Sequence, residues 1–211
     1  TLVSNSDAHS PNRLGREANV LDGPISYFEL RDILKKKDTK RFLFTIEYFP
    51  EEGKYHFDGH RKCNIRFSPT ESRTYNNMCP VCGRPLTVGV LHRVENLGDR
   101  KSGYQPENVI PFKNVVPLEE IIAEALGLGR DTVGVGNEYR KLVNHFGSEF
   151  EILLDTPIEE LKKFANERVA LGVEKMRKGD LVINPGYDGE FGIVKIFSEE
   201  AAKKESQLGL F

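Results

Sequence analysis

His60-x-x-Cys63, followed after fifteen intervening residues by Cys79-Pro80-Val81-Cys82-Gly83, constrains this chain more than any other feature. Two ligand pairs of x-x spacing, each closed in a tight turn, can bring four nitrogen and sulfur donors to the corners of a tetrahedron of zinc dimensions. The separation between the pairs lies in the range usual for zinc ribbons, and the Pro and Gly of the second pair shape a knuckle. The chain has 3 Cys, an odd count that suits a reduced compartment and a metal site better than a disulfide framework. A site closed by four protein ligands is structural rather than catalytic. His60 is the favoured fourth ligand, with His56 and His92 standing as alternatives.

Three further motifs bear on chemistry. Ser6-Asp7-Ala8-His9 follows a strand-like start, Thr1-Leu2-Val3. Asp-x-His on an extended segment puts a carboxylate and an imidazole on one side, as a divalent cation requires, although a helix cap has the same appearance. Gly134-Val135-Gly136, read as lying between two helices with Arg130 just upstream, would let backbone N–H groups approach a phosphate closely. An ordinary glycine loop in a helical hairpin accounts for it equally. The end of the chain, Gln207-Leu208-Gly209-Leu210-Phe211, follows a charged tail; Leu210 and Phe211 would fill a hydrophobic pocket on a partner or pack on their own domain.

The net charge is only −2, so the whole-protein field does not select for nucleic acid and any basic surface must be local. Such clusters exist: Lys35-Lys36-Lys37, Lys40-Arg41, Arg61-Lys62, Arg84, Arg93 and Arg100-Lys101, with Tyr and Phe interleaved. Cations and rings around a metal module suit phosphate contact and base stacking, and equally a solvated face over an aromatic core. No apolar run approaches the roughly 18 residues of a membrane-spanning helix. No Gly-x-x-x-x-Gly-Lys-Ser/Thr occurs, which argues against a nucleotide-driven motor.

Periodicity predicts helices over residues 14–20, 25–37, 118–126, 139–146 and 158–171. Strands are expected over 42–49, 180–184 and 190–197, the last two joined by a Pro185-Gly186-Tyr187-Asp188-Gly189 turn. Residues 53–100 hold all three Cys and three of the five His, the composition of a small metal-stapled module.

Taken together, several stretches resemble endonuclease Q. They are Ser6-Asp7-Ala8-His9-Ser10-Pro11 with Leu14-Gly15-Arg16-Glu17-Ala18-Asn19; residues 45–60 with Cys63; residues 79–95; and Pro185 to Gly192. Members of that family are sometimes labelled UvrD/Rep-type helicases. The resemblance implies a PHP-type phosphoesterase domain followed by a zinc-containing region and a helical C-terminal part. It also implies an enzyme that nicks DNA on the 5′ side of uracil, hypoxanthine and abasic sites. Asp7 and His9 would then be the last ligand pair of a PHP site holding Zn²⁺, Mn²⁺ or Mg²⁺, and His60, Cys63, Cys79 and Cys82 would hold structural Zn²⁺. The terminal pentapeptide resembles a sliding-clamp-binding peptide through Gln207, Leu208, Leu210 and Phe211.

The expected architecture is α+β. Residues 1–27 would form the last strand and helix of a PHP barrel, 28–105 a zinc-ribbon domain and 106–178 a helix-hairpin-helix-like region. A β-hairpin would span 179–197 and a tail 198–211. DNA contacts would fall to Gly134, Gly136, Arg130, Arg61, Arg84 and Arg93. On this reading the chain is a C-terminal fragment that binds DNA without cutting it, cytoplasmic and associated with the nucleoid through DNA. The alternative is a non-enzymatic zinc-containing adaptor that holds DNA and recruits a clamp. A third reading has the PHP site acting on a small phosphoester while the zinc module makes protein contacts.

Overall fold

The computed structural model describes residues 1–101 and 103–198, and of Asn12 the backbone only. The chain divides into two compact units, one formed by Thr1–Phe49 with Leu91–Val115 and the other by Pro50–Val90 with the chain from Val116 onward. Both mix helices with small sheets, as the α+β expectation has it.

In the first unit, strand β1 (Ala18–Leu21) pairs antiparallel with β2 (Phe42–Glu47). The connection between them carries helix α1 (Tyr27–Lys36). Ser26 and Glu29 close a capping box at the α1 N-terminus, and Lys37 turns left-handed at its end. Two expectations fail here. Residues 14–20 are not a helix: Gly15 reverses the chain at φ +73° and the backbone ladder to β2 claims Ala18 to Leu21. Thr1-Leu2-Val3 is no strand either; the Asn19 amide grips both backbone groups of Ser4, at 3.0 and 2.7 Å, in place of a ladder. Within residues 1–27 the regular strand is thus β1, in place of the strand expected at 1–3 and the helix expected at 14–20. Further along the chain come α3 (Val90–Leu97), which begins at the unit boundary, and β5 (Phe112–Asn114), which adds to β2 in parallel.

The second unit starts with the cysteine-bearing segment: β3 (Asp58–His60), β4 (Ile65–Phe67) and α2 (Pro69–Thr74). After residue 116 the chain is helical, through α4 (Leu118–Leu126), α5 (Val133–Phe146), a π-helical turn Glu151–Asp155, α6 (Ile158–Phe164) and α7 (Glu167–Lys178). The helix read over 158–171 is two helices, because Ala165 is extended and the Asn166 side chain accepts the Arg168 N–H to start α7 afresh. Leu118, Ile121 and Ile122 of α4, Leu142 of α5, Ile152, Leu161, and Val169 and Val173 of α7 are buried essentially completely. At Gly172 an added Cβ would come within 2.8 Å of Ile121, which is how closely α7 approaches α4. Strands β6 (Val182–Asn184) and β7 (Ile193–Lys195) form the expected antiparallel hairpin. Its end is tied to the helices by Glu124, whose carboxylate accepts the N–H groups of Ile196 and Phe197 at 2.8–3.0 Å.

Candidate functional site

Strand β3 delivers His60 into a 3₁₀ turn, Arg61–Cys63, which Asn64 ends in the left-handed region at φ +53° so that β4 can return alongside. His60 and Cys63 thus flank a single tight turn. The second pair lies in a knuckle. The N–H of Cys79 donates to the Arg84 carbonyl at 2.7 Å, the N–H of Gly83 to the Cys79 carbonyl at 2.8 Å, and Gly83 itself holds φ +67°. The two turns face each other. One donor atom each from His60, Cys63, Cys79 and Cys82 lies within 4.8 Å of all the others, and Cys82 Sγ is 3.3 Å from His60 Nδ1. None of the three cysteines forms a disulfide.

Burial pushes the Cys63 thiol up, and the neighbouring Cys82 and Cys79 sulfurs add to it. Burial works the same way on Cys79, but the N–H groups of Cys82 and Val81 and the His60 ring outweigh it and hold that thiol down. Three thiols and an imidazole converging at this distance, with amide N–H groups turned towards a sulfur, are a donor set that a metal ion fits. His56 and His92 are not in the group: His56 stacks on Phe57, and His92 is buried in α3.

A loop more than a hundred residues downstream braces this module. Asp188 accepts the Arg61 N–H at 2.7 Å and the Thr87 hydroxyl at 2.6 Å. Thr87 in turn exchanges both backbone hydrogen bonds with Gly59 of β3. Tyr187 donates its hydroxyl to Asn64, and the Phe57 and Gly186 backbones are joined at 2.9 Å. The glycines make these approaches feasible: a Cβ on Gly59 would sit 2.3 Å from the Tyr187 ring, and one on Gly192 1.9 Å from the Glu51 carbonyl oxygen. Asp188 itself stands at φ +43°, and the bonds it accepts keep its carboxyl below the usual range although burial works against them. The sequence by itself predicts only a hairpin turn here. The signal was the density of turn residues in Pro-Gly-Tyr-Asp-Gly, more than a two-stranded hairpin requires.

The other candidate residues scatter. Asp7 and His9 are exposed in the first unit, where they line a cleft of about 400 Å³ with Ser6, Arg16 and Tyr48. His9 Nδ1 contacts the Asp7 carbonyl at 2.7 Å, and Asp7 holds φ +45°. Among the described residues these two join no third metal-ligating side chain. Gly134 and Gly136 lie inside the first turn of α5 rather than in the connector before it, which is made by Gly127 to Thr132. Arg130, in that connector, pairs with Glu120 at 3.3 Å. Arg61 and Arg84 are exposed on the two turns that carry the histidine and cysteines, and Arg93 is exposed on α3. Gln207, Leu208, Leu210 and Phe211 lie outside the described residues.

Comparison with known proteins places this geometry. Residues 117–180 match the MJ0043 C-terminal domain family. The chain is 36% identical over 198 residues to the uncharacterized protein MJ0043 of Methanocaldococcus jannaschii, covering 90% of this chain and 25% of that protein. It is 28% identical over 196 residues to the uncharacterized protein YqxK of Bacillus subtilis, covering 92% of this chain and 46% of that one. The crystal structure of the lesion-specific endonuclease PfuEndoQ from Pyrococcus furiosus superposes with a TM-score of 0.80 at 31% identity, over 99% of this chain and 52% of that one. Endonuclease Q in complex with a 27-mer duplex substrate bearing an abasic lesion gives 0.76 at 31% identity, over 95% and 51%. The chain thus spans a quarter to about half of the proteins it matches. It is endonuclease Q-like along nearly its whole length, as the sequence motifs imply.

Proposed function

We propose that this chain is the DNA-holding, C-terminal portion of a metal-dependent repair endonuclease that nicks DNA 5′ to deaminated bases or abasic sites. The likeness to endonuclease Q over 99% of the chain carries the proposal. His60, Cys63, Cys79 and Cys82 would hold one structural zinc, which supplies a rigid crosslink between two turns and, with all four positions taken by protein, no open site for chemistry. Around it, Asp188 and Thr87 fix the β3 turn while Arg61 and Arg84 face outward to neutralise phosphate. Arg93 on α3, with Arg130 and the Gly134–Gly136 turn of α5, would make the remaining backbone contacts. Asp7 and His9 would contribute one carboxylate and one imidazole to a divalent-cation site whose other ligands lie on a preceding PHP domain. Alone they are two ligands, too few to hold a catalytic ion on a phosphodiester.

The test is a nicking assay with uracil-containing duplex and Mn²⁺, Zn²⁺ or Mg²⁺. The chain alone should bind the duplex without cutting it. In the longer protein, alanine at both Asp7 and His9 should abolish cutting and leave binding within about twofold. Cutting that survives the double substitution would remove Asp7 and His9 from the cutting site, whereas an unsubstituted longer protein that binds the duplex without cutting it would favour the adaptor reading, in which the zinc module and the clamp-like peptide serve recruitment.

A further inference from the structure

Beside the metal turn, the β6–β7 hairpin loop and the β3–β4 hairpin enclose an open groove of about 380 Å³. Arg61, Asn64 and Arg66 line it from one side, and Tyr187, Glu190 and Phe191 from the other. Its two arginines differ. Arg61 faces Glu190 at 3.9 Å, both side chains more than half exposed, so its charge is partly offset. Arg66 meets neutral partners instead: it donates to the Pro185 carbonyl at 3.3 Å, and its guanidinium lies 6.0 Å from the centre of the Tyr187 ring. Phe191 is the second unusual residue. Its side chain is large and apolar, yet the residue is 72% exposed, with the Lys54 ammonium 5.5 Å from the ring centre.

The loop presenting Phe191 is not loose. The N–H groups of Gly186, Gly189 and Gly192 donate to the carbonyls of Glu51, Lys54 and Glu52, and Asp188 is held by Arg61 and Thr87. A loop backbone held in this way gives up little freedom when a ligand covers the ring that it presents. A flat apolar face beside Arg66, whose partners are neutral, matches the two parts of a nucleotide, a base to stack and a phosphate to neutralise.

We infer that this groove holds an unpaired nucleotide of a DNA strand, with its base stacked on Phe191 and its phosphate on Arg66. The inference rests on the DNA-holding reading and adds to it a binding site that the sequence motifs did not indicate. A base still paired in a duplex offers only its edge, so the groove favours single strands, bulges and extruded bases over intact duplex.

The chain has no tryptophan, which supplies a clean probe. Phe191→Trp places a single fluorophore at the surface, where it disturbs no core contact. Adding a single-stranded 20-mer in 50 mM salt should quench it, and the fully paired duplex should quench it much less. By titration with the same 20-mer, Phe191→Ala should weaken binding by about 5- to 150-fold, the span of single base–ring contacts. Arg66→Ala should lower the magnitude of the salt slope by about one. Glu190→Gln, which removes the groove's carboxylate, should tighten binding. Unquenched tryptophan with unchanged affinity in Phe191→Ala and Arg66→Ala would overturn the groove while leaving DNA binding elsewhere on the chain intact. Failure of the unsubstituted chain to bind either DNA would overturn both the groove and the reading it rests on.

Discussion

Single side chains set the precision of the histidine–cysteine module. Asp188 is a short side chain reaching two donors on different segments, and it sits at a positive φ that favours Asn or Gly unless such bonds compensate. Asp188→Ala should cost roughly 1–3 kcal/mol, because it leaves the Arg61 N–H and Thr87 hydroxyl without their acceptor. A shift of the urea midpoint with an unchanged slope would register that loss. Since the folded state holds this carboxyl below its ordinary range, its contribution is complete above the unfolded pKa and lost as acid takes the pH below that range.

Glu52 works the other way. Burial, then the nearby Glu120 and Glu51 carboxylates, push it up to about 7 from 4.5. The folded state therefore keeps a proton that the unfolded chain releases, and the associated stability, complete below pH 4.5, is lost as the pH rises through 7. Glu52→Gln should flatten the fall in urea midpoint between pH 6 and 8 and raise the midpoint at pH 8, measured in saturating zinc. An unchanged pH profile would assign that fall to other groups.

Elements show which parts of the fold were legible. Helix α1 is legible in its apolar spacing and Lys-rich end, and α4 in its apolar repeat, both local signals that tertiary contacts do not override. The strand β1 was read as helix because nothing within residues 14–20 indicates the β2 ladder that captures them. For the same reason the convergence of His60, Cys63, Cys79 and Cys82 is legible in x-x spacing, whereas the bracing by Asp188, Asn64 and Thr87 is not, their partners being far away in sequence. Glycine tests this distinction. Gly172→Ala meets the Cγ2 methyl of the buried, β-branched Ile121 and should cost roughly 1–2 kcal/mol of overpacking. Gly192→Ala drives a methyl group into the Glu51 backbone and should cost roughly 3 kcal/mol or more, freeing the hairpin loop from the metal module. Thermal melts of the two variants should rank them in that order. Equal melting temperatures would mean that the loop does not brace the module.

At the scale of the molecule, the second unit joins two kinds of stability. Residues 116–178 carry an apolar helical core, Leu118 to Met176, that needs no ion. The segment from Pro50 to Val90 has few fully buried apolar side chains, Cys79 and Leu86 among them, and depends on crosslinks. Metal binding and ordering are one equilibrium in modules of this size, so a chelator should strip hydrogen-exchange protection from residues 53–90 while the helical core keeps its own. No helix among the described residues is long and apolar enough to cross a membrane, and basic residues outnumber acidic ones in the exposed charge around the two turns: Lys54, Arg61, Lys62, Arg66 and Arg84 against Glu71 and Glu190. That local charge, on a chain of net −2, is what a platform for phosphates requires.

Metal content combined with zinc-edge X-ray absorption tests the central claim most directly. One zinc per chain bound by three sulfurs and one nitrogen, lost together with protection of residues 53–90 in Cys79→Ser, is the expected result. A folded, metal-free chain whose three thiols all react freely in zinc-replete buffer would contradict it.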